Sequence, residues 1–241
     1  MELADTRWPE LGGRADVVLL PTGSCEQHGP HLPFVTDAAV ATEVARRAVR
    51  LLRQEAVHAV LAPTLPYGAS GEHQHFPGTI DIGHEALGRV LVELGRSVSC
   101  WADRLVFVNG HGGNAPTLCD AVSLLRHEGR DAGWVPCEVV WGDAHAGRVE
   151  TSLMAAAAPE TVRSDRAEAG ATEPVERLLP RLRAGGVIAV SPNGVLGDPA
   201  GASAWEGEAL LEGMVREVVD GVLAGTADPA GRLRAPAGAR A

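Results

Sequence analysis

The sequence predicts an α/β fold, a three-layer sandwich with a mostly parallel central sheet. Three observations carry the prediction. Short apolar runs rich in Val and Leu alternate with longer stretches whose apolar residues recur at helical spacing. The apolar runs end at Gly or Pro, which stop a strand and turn the chain. Strand–helix repetition of this kind implies parallel pairing, with helices covering both faces of the sheet.

Taken in order, Val17 to Leu20 reads as a buried first strand. Asp37 to Glu55 is helical, with Val40, Val44, Ala48, Leu51 and Leu52 interleaved with Arg46, Arg47, Arg50 and Arg53. Ala59 to Pro63 is a second strand. His84 to Trp101 is a second helix with Leu87, Val90, Leu91, Leu94 and Val98 as its apolar stripe. Arg104 to Asn109 is a third strand, Ala115 to His127 a third helix and Trp134 to Trp141 a fourth strand. From Glu150 the chain is Ala-rich and helical. A Gly/Pro-punctuated stretch from Gly185 to Gly201 contains the short apolar run Val187 to Val190, and Trp205 to Val222 is a closing helix. No linker divides residues 1–228, which are expected to form one domain. Pro229 to Ala241 lacks core formers and is expected to be a disordered tail.

Composition excludes several classes of function. The net charge of −10 opposes a nucleic-acid partner, which would need a basic surface. Aromatics at 4% leave little for stacking bases. Cys25, Cys100, Cys119 and Cys137 contain no C-x-x-C pair, so neither a zinc ribbon nor a thioredoxin motif is present. The acidic start Met-Glu-Leu-Ala-Asp is unlike a signal peptide, and no apolar run of about 18 residues is present to span a membrane. A cytoplasmic protein is expected.

The chemistry-bearing residues gather just beyond predicted strands. The first strand runs into a segment carrying Glu26, His28 and Asp37, at the carboxyl end where open α/β sheets bind ligands. The third runs into Asn109-Gly-His-Gly-Gly-Asn114, which presents His111 in a turn of glycines. Such turns also bind phosphate, but neither a Walker lysine nor the dinucleotide fingerprint is here. The fourth runs into Trp141-Gly-Asp-Ala-His-Ala-Gly-Arg-Val-Glu150, adding His145 and Glu150. Five or six N/O ligands exceed one tetrahedral site, so two divalent metal ions sharing a carboxylate are the economical reading. Fe, Zn and Mn all accept such a set. Two such ions polarise a carbonyl and activate water for attack on an amide, and a histidine outside the ligand set would protonate the departing nitrogen.

Glu26-x-His28-Gly-x-His31-Leu-Pro, Asp37, Asn109-Gly-His111 and His145-x-Gly-x-x-Glu150-Thr-Ser resemble the creatininase family of metal-dependent amidohydrolases over about residues 15–155. The resemblance implies that Glu26, His28, Asp37 and His111 bind two divalent metals with Asp37 bridging, and that His145 is catalytic with Trp141 nearby. Creatininase has a further Glu two residues after the Asn-Gly-His histidine. This chain has Gly113 there, which argues against creatinine as substrate and makes Glu150 the candidate replacement ligand. Gly23 to Pro33, Gly142 to Ser152 and Ala189 to Pro199 resemble more narrowly the mycofactocin-system branch, to about residue 225. Members of that branch are peptidases that release the last two residues, Val-Tyr, from the modified mycofactocin precursor peptide. A peptide substrate and a homo-oligomer are thus implied. Arg148 departs from a Glu common in the family and is a candidate to pair with an anionic group on the peptide.

The same residues admit other readings. Cys25 with a neighbouring histidine as base would leave Glu26, Asp37 and His111 unexplained. His31 reads as a supporting or turn residue. Glu72-His-Gln-His75 reads as a substrate-side loop, with His75 as its candidate contact. Asp198 and Glu206 read as surface or capping residues. A small-amide or formamide hydrolase is the alternative activity. A metal-stabilised assembly protein is the non-enzymatic alternative, although structural zinc favours closed Cys/His sites and this set is oxygen-rich.

Overall fold

The computed structural model describes residues 1–139 and 141–234. Its sheet is built from β1 (Ala15–Thr22), β2 (Ala59–Leu61), β3 (Ala102–Asn109) and β4 (Asp131–Pro136), in the order β2-β1-β3-β4. Every pairing between these strands is parallel. Because both faces are covered, the strands are continuously apolar rather than alternating. Val17 and Leu19 of β1 enter one core, and Val18 and Leu20 enter the other.

The first core is closed by α1 (Thr36–Gln54), α4 (Arg148–Ala157) and α6 (Ala204–Ala224). The second is closed by α2 (Gly83–Val98) and α3 (Ala115–His127). Helices, sheet and helices make the three layers. Phe107 is fully buried at the centre of the second core. Phe107→Ala is expected to cost about 3–5 kcal/mol. Urea denaturation checks this, with a lowered midpoint and an unchanged slope as the signature.

Three expectations need correction. The fourth strand is Asp131–Pro136, not Trp134 to Trp141. Its start is set by pairing with β3, where Asp131 sits opposite Arg104 and accepts from its guanidinium at 2.6 and 2.8 Å. Pro136 brings no N–H to continue the ladder. A further helix, α5 (Val175–Gly185), stands where no element was expected, with Pro180 in its interior. It is anchored by Leu178 and Leu182, which pack with Val187, Val190, Leu196 and Phe76 in a small separate cluster. The chain beyond Pro229 is ordered as far as Arg234. Leu233 donates its N–H to the Trp134 carbonyl at 2.9 Å and fills space that Gly133 and Gly221 leave open. Residues 235–241 of the expected tail lie outside the described residues.

The strand register prepares the site. Thr22 lies opposite Asn109, and Asn109 opposite Pro136, so β1, β3 and β4 end level. The connections that follow them leave from one edge. Among the described residues, no helix is long and apolar enough to cross a membrane.

Candidate metal centre

The connection after β1 carries Glu26 and His28 and runs into α1, whose first turn holds Asp37. All three side chains are buried. Burial of these polar groups is tolerated because each is tied to a partner. Ser24 donates its hydroxyl to Glu26 Oε2 at 2.6 Å. Asp37 stands where the helix N-terminus favours negative charge. The β3 connection is fixed by Asn109, whose side chain donates to the His111 carbonyl at 2.6 Å and accepts from Asn114 at 3.2 Å. Gly110 lets this turn press on α1, since a Cβ there would lie 2.3 Å from the Asp37 carbonyl oxygen. Gly113 is equally confined, because its Cβ would lie 2.4 Å from His111 Nε2 and 2.6 Å from the Ala69 carbonyl. Gly113→Ala is expected to weaken metal affinity by roughly 10–100-fold through a displaced His111, read by competition with a chelating dye.

Two triads share one carboxylate. Glu26, Asp37 and His111 form one, and His28, Asp37 and Glu150 the other, each with its donor atoms within 4.8 Å. Asp37 Oδ1 lies 3.0 Å from His28 Nε2, and its Oδ2 lies 3.2 Å from His111 Nδ1. Glu150 comes from the first turn of α4 and lies 3.6 Å from His28 Nε2. Its carboxylate is set by the Ala146 N–H at 2.6 Å. Ala146 itself takes the left-handed conformation at φ 54°, uncommon without glycine. A third grouping brings His145 to Glu26 and His28.

Hydrogen bonds on the outer side of each ring assign its tautomer. His28 Nδ1 donates to the Glu26 carbonyl at 3.1 Å, so Nε2 faces the carboxylates. His111 Nε2 donates to the Ala69 carbonyl at 3.0 Å, so Nδ1 faces inward. His145 Nε2 donates to the Gln27 carbonyl at 2.7 Å, leaving Nδ1 inward, 3.7 Å from Glu26 Oε1.

The electrostatics are those of a cation site. Burial disfavours charge on His28, but Asp37, Glu150 and Glu26 outweigh it and push its pKa up to about 10. Burial likewise opposes protonation of His111, and Glu26 and Asp37 raise it well above the usual imidazole range. Glu150 is pushed up to about 7 by burial, with Asp37 and Glu26 adding to the rise against His28. His145 is held well below the ordinary value by burial and by the positive charge of His28 and His73. Glu26 Oε1 and Asp37 Oδ2 are buried without a hydrogen-bond partner. Buried carboxylate oxygens left so, crowded by imidazole nitrogens, fit a divalent cation of the His/carboxylate-binding type.

The other expected residues fall differently. A cavity of about 320 Å³ opens over the cluster, and neither Trp141, Arg148 nor His75 lines it. Trp141 is 72% exposed. Arg148 turns away to pair with Glu206 at 2.8 Å, so its guanidinium is engaged within the protein rather than offered to a ligand. Glu206 is therefore an ion-pair partner, and it also accepts from Ser152. His75 is exposed, whereas His73 of the same loop is buried, 3.2 Å from Glu26 Oε1. The short turn Gly71–His73 makes that choice by pointing the third residue inward. Gln27 was not singled out from the sequence, yet its side-chain amide donates to His73 Nδ1 at 2.9 Å and to the Gly194 carbonyl at 3.0 Å. Its place between Glu26 and His28 was the available signal. His31 is buried and meets Thr151 at 2.9 Å, a supporting position.

Over residues 4–222 the chain matches the family described as creatininase, creatinine amidohydrolase. It is 51% identical over 236 residues to a protein of Mycobacterium ulcerans (strain Agy99) named mycofactocin precursor peptide peptidase, covering 96% of this chain and 94% of that protein. A protein of the same name from Mycolicibacterium smegmatis (strain ATCC 700084 / mc(2)155) is 53% identical over 212 residues, covering 88% and 86%. Among solved structures, a creatininase with one tryptophan replaced by phenylalanine matches with a TM-score of 0.77 at 28% identity, covering 91% of this chain and 96% of that one. The chain belongs to the creatininase family and is a hydrolase of an amide or peptide bond.

Proposed function

We propose that this protein is a cytoplasmic, metal-dependent peptidase that removes the C-terminal Val-Tyr dipeptide from a modified mycofactocin precursor peptide, in redox-cofactor biosynthesis. The observation that carries the metal chemistry is the pair of triads joined at Asp37. Relatives about half identical over nearly the whole chain, bearing the peptidase name, support the substrate.

In this reading Glu26, Asp37 and His111 would hold one divalent ion, and His28, Asp37 and Glu150 would hold the other. Glu150 takes the part left vacant by Gly113. Ions bound there would supply polarisation of the scissile carbonyl and a lowered pKa for water. Solved creatininase structures include a manganese form and a zinc–zinc form, which favours Mn or Zn for the pair. His145 is held neutral, with its inward Nδ1 free, so it takes the proton from the attacking water and returns it to the departing amine nitrogen. The Gln27 carbonyl keeps that tautomer. Burial of the cluster excludes bulk water and strengthens each of these interactions.

The test is incubation of the metal-loaded protein with a modified precursor peptide ending in Val-Tyr, followed by mass detection of the dipeptide product. Cleavage elsewhere, or release of formate or hydrolysis of a small amide alone, would replace the peptide reading with the small-amide alternative. Light scattering tests the homo-oligomer that belongs to the same reading.

A further inference from the structure

α5 forms part of the wall of the cavity that opens over the metal centre. Val175, Leu179, Leu182 and Arg183 all line it. Their spacing places them along one side of the helix. Val175 and Leu179 are 37% and 39% exposed, an apolar face turned to the cavity. Opposite them stand Glu26, Asp37, Glu72 and Glu150. Among the described residues lining the cavity, Arg183 is the single guanidinium, and it makes no ion pair with any described residue. Arg104 and Arg148, by contrast, are engaged with Asp131 and Glu206.

A free guanidinium beside an apolar surface, at the mouth of an acidic site, is suited to a planar carboxylate. It also gives an anionic ligand a place away from the four carboxylates, which would repel it elsewhere in the cavity. We propose that α5 selects the substrate, with Leu179 and its apolar neighbours contacting peptide side chains and Arg183 binding a carboxylate of the peptide. The proposal rests on the peptidase reading. The carboxylate belongs either to the peptide's C-terminus or to an acidic side chain, and the two sources share this chemistry. Arg183 is a specificity residue and touches none of the reacting atoms.

Arg183→Gln and Arg183→Lys are compared with the unaltered enzyme, metal-loaded, on three peptides: a cleavable parent, its C-terminal amide, and a version with acidic side chains replaced by Gln or Asn. On the parent, Arg183→Gln is expected to raise KM roughly tenfold with kcat within about twofold, the size of one solvent-exposed charge-assisted contact. Arg183→Lys should fall between, keeping the charge without the two-pronged geometry. The neutralised peptide that carried the carboxylate should show the same KM with unaltered enzyme and with Arg183→Gln, which identifies the source. Circular dichroism confirms that the exposed substitutions leave the fold intact. Equal KM for Arg183→Gln and the unaltered enzyme on the parent, or the same loss on all three peptides, overturns the role of Arg183 alone. Failure of the unaltered enzyme to cleave any of them overturns the peptidase reading, and this proposal with it.

Discussion

Asp37→Asn is expected to empty both metal positions and lower kcat/KM by roughly 10³-fold or more, since loss of metal polarisation removes several kcat-determining kcal/mol at about 1.4 kcal/mol per tenfold. The reason is geometric. Asp37 is common to both triads, with one oxygen 3.0 Å from His28 and the other 3.2 Å from His111. An amide has one oxygen to offer and carries no charge, so it cannot serve two ions. His28→Ala, by contrast, should leave the Glu26–Asp37–His111 position occupied. Elemental analysis separates the cases: two ions per chain in the unaltered protein, one in His28→Ala and fewer than one in Asp37→Asn. Two ions retained in Asp37→Asn would sink the bridging role. Dialysis against EDTA should silence the enzyme, and Mn or Zn should restore it.

The second large effect is at His145. His145→Gln is expected to reduce kcat by roughly 10²–10⁴-fold, the usual contribution of a positioned acid–base group, with metal content unchanged. Burial and the neighbouring His28 and His73 keep this imidazole neutral, and its Nε2–H is committed to the Gln27 carbonyl. Only the inward Nδ1 is free to exchange a proton with substrate or water. His145 also groups with Glu26 and His28, so elemental analysis distinguishes the two roles. Loss of an ion in His145→Gln would make it a ligand instead.

Much of the architecture could be read along the chain because each element announced itself locally. β1 and β3 are buried on both faces, and such strands are unbroken apolar runs. α1 and α2 carry apolar residues at helical spacing next to arginines and glutamates. α5 has a proline inside it and Leu178 as its one fully enclosed side chain, so its pattern was too faint to read. The start of β4 at Asp131 depended on Arg104 across the sheet, and the order near Leu233 on glycines in β4 and α6.

The same division holds at the site. The donor types and their position after strands β1, β3 and β4 are legible along the chain, because glycine turns and motif spacing are local properties. Which donors meet is set by long-range packing: Glu150 stands with His28 and Asp37, His73 rather than His75 faces Glu26, and Arg148 is taken up by Glu206 while Arg183 is left facing the cavity. These partners are separated by tens to more than a hundred positions. Their meeting depends on the level ends of the parallel strands and on the paths of the loops between them, which no local pattern encodes.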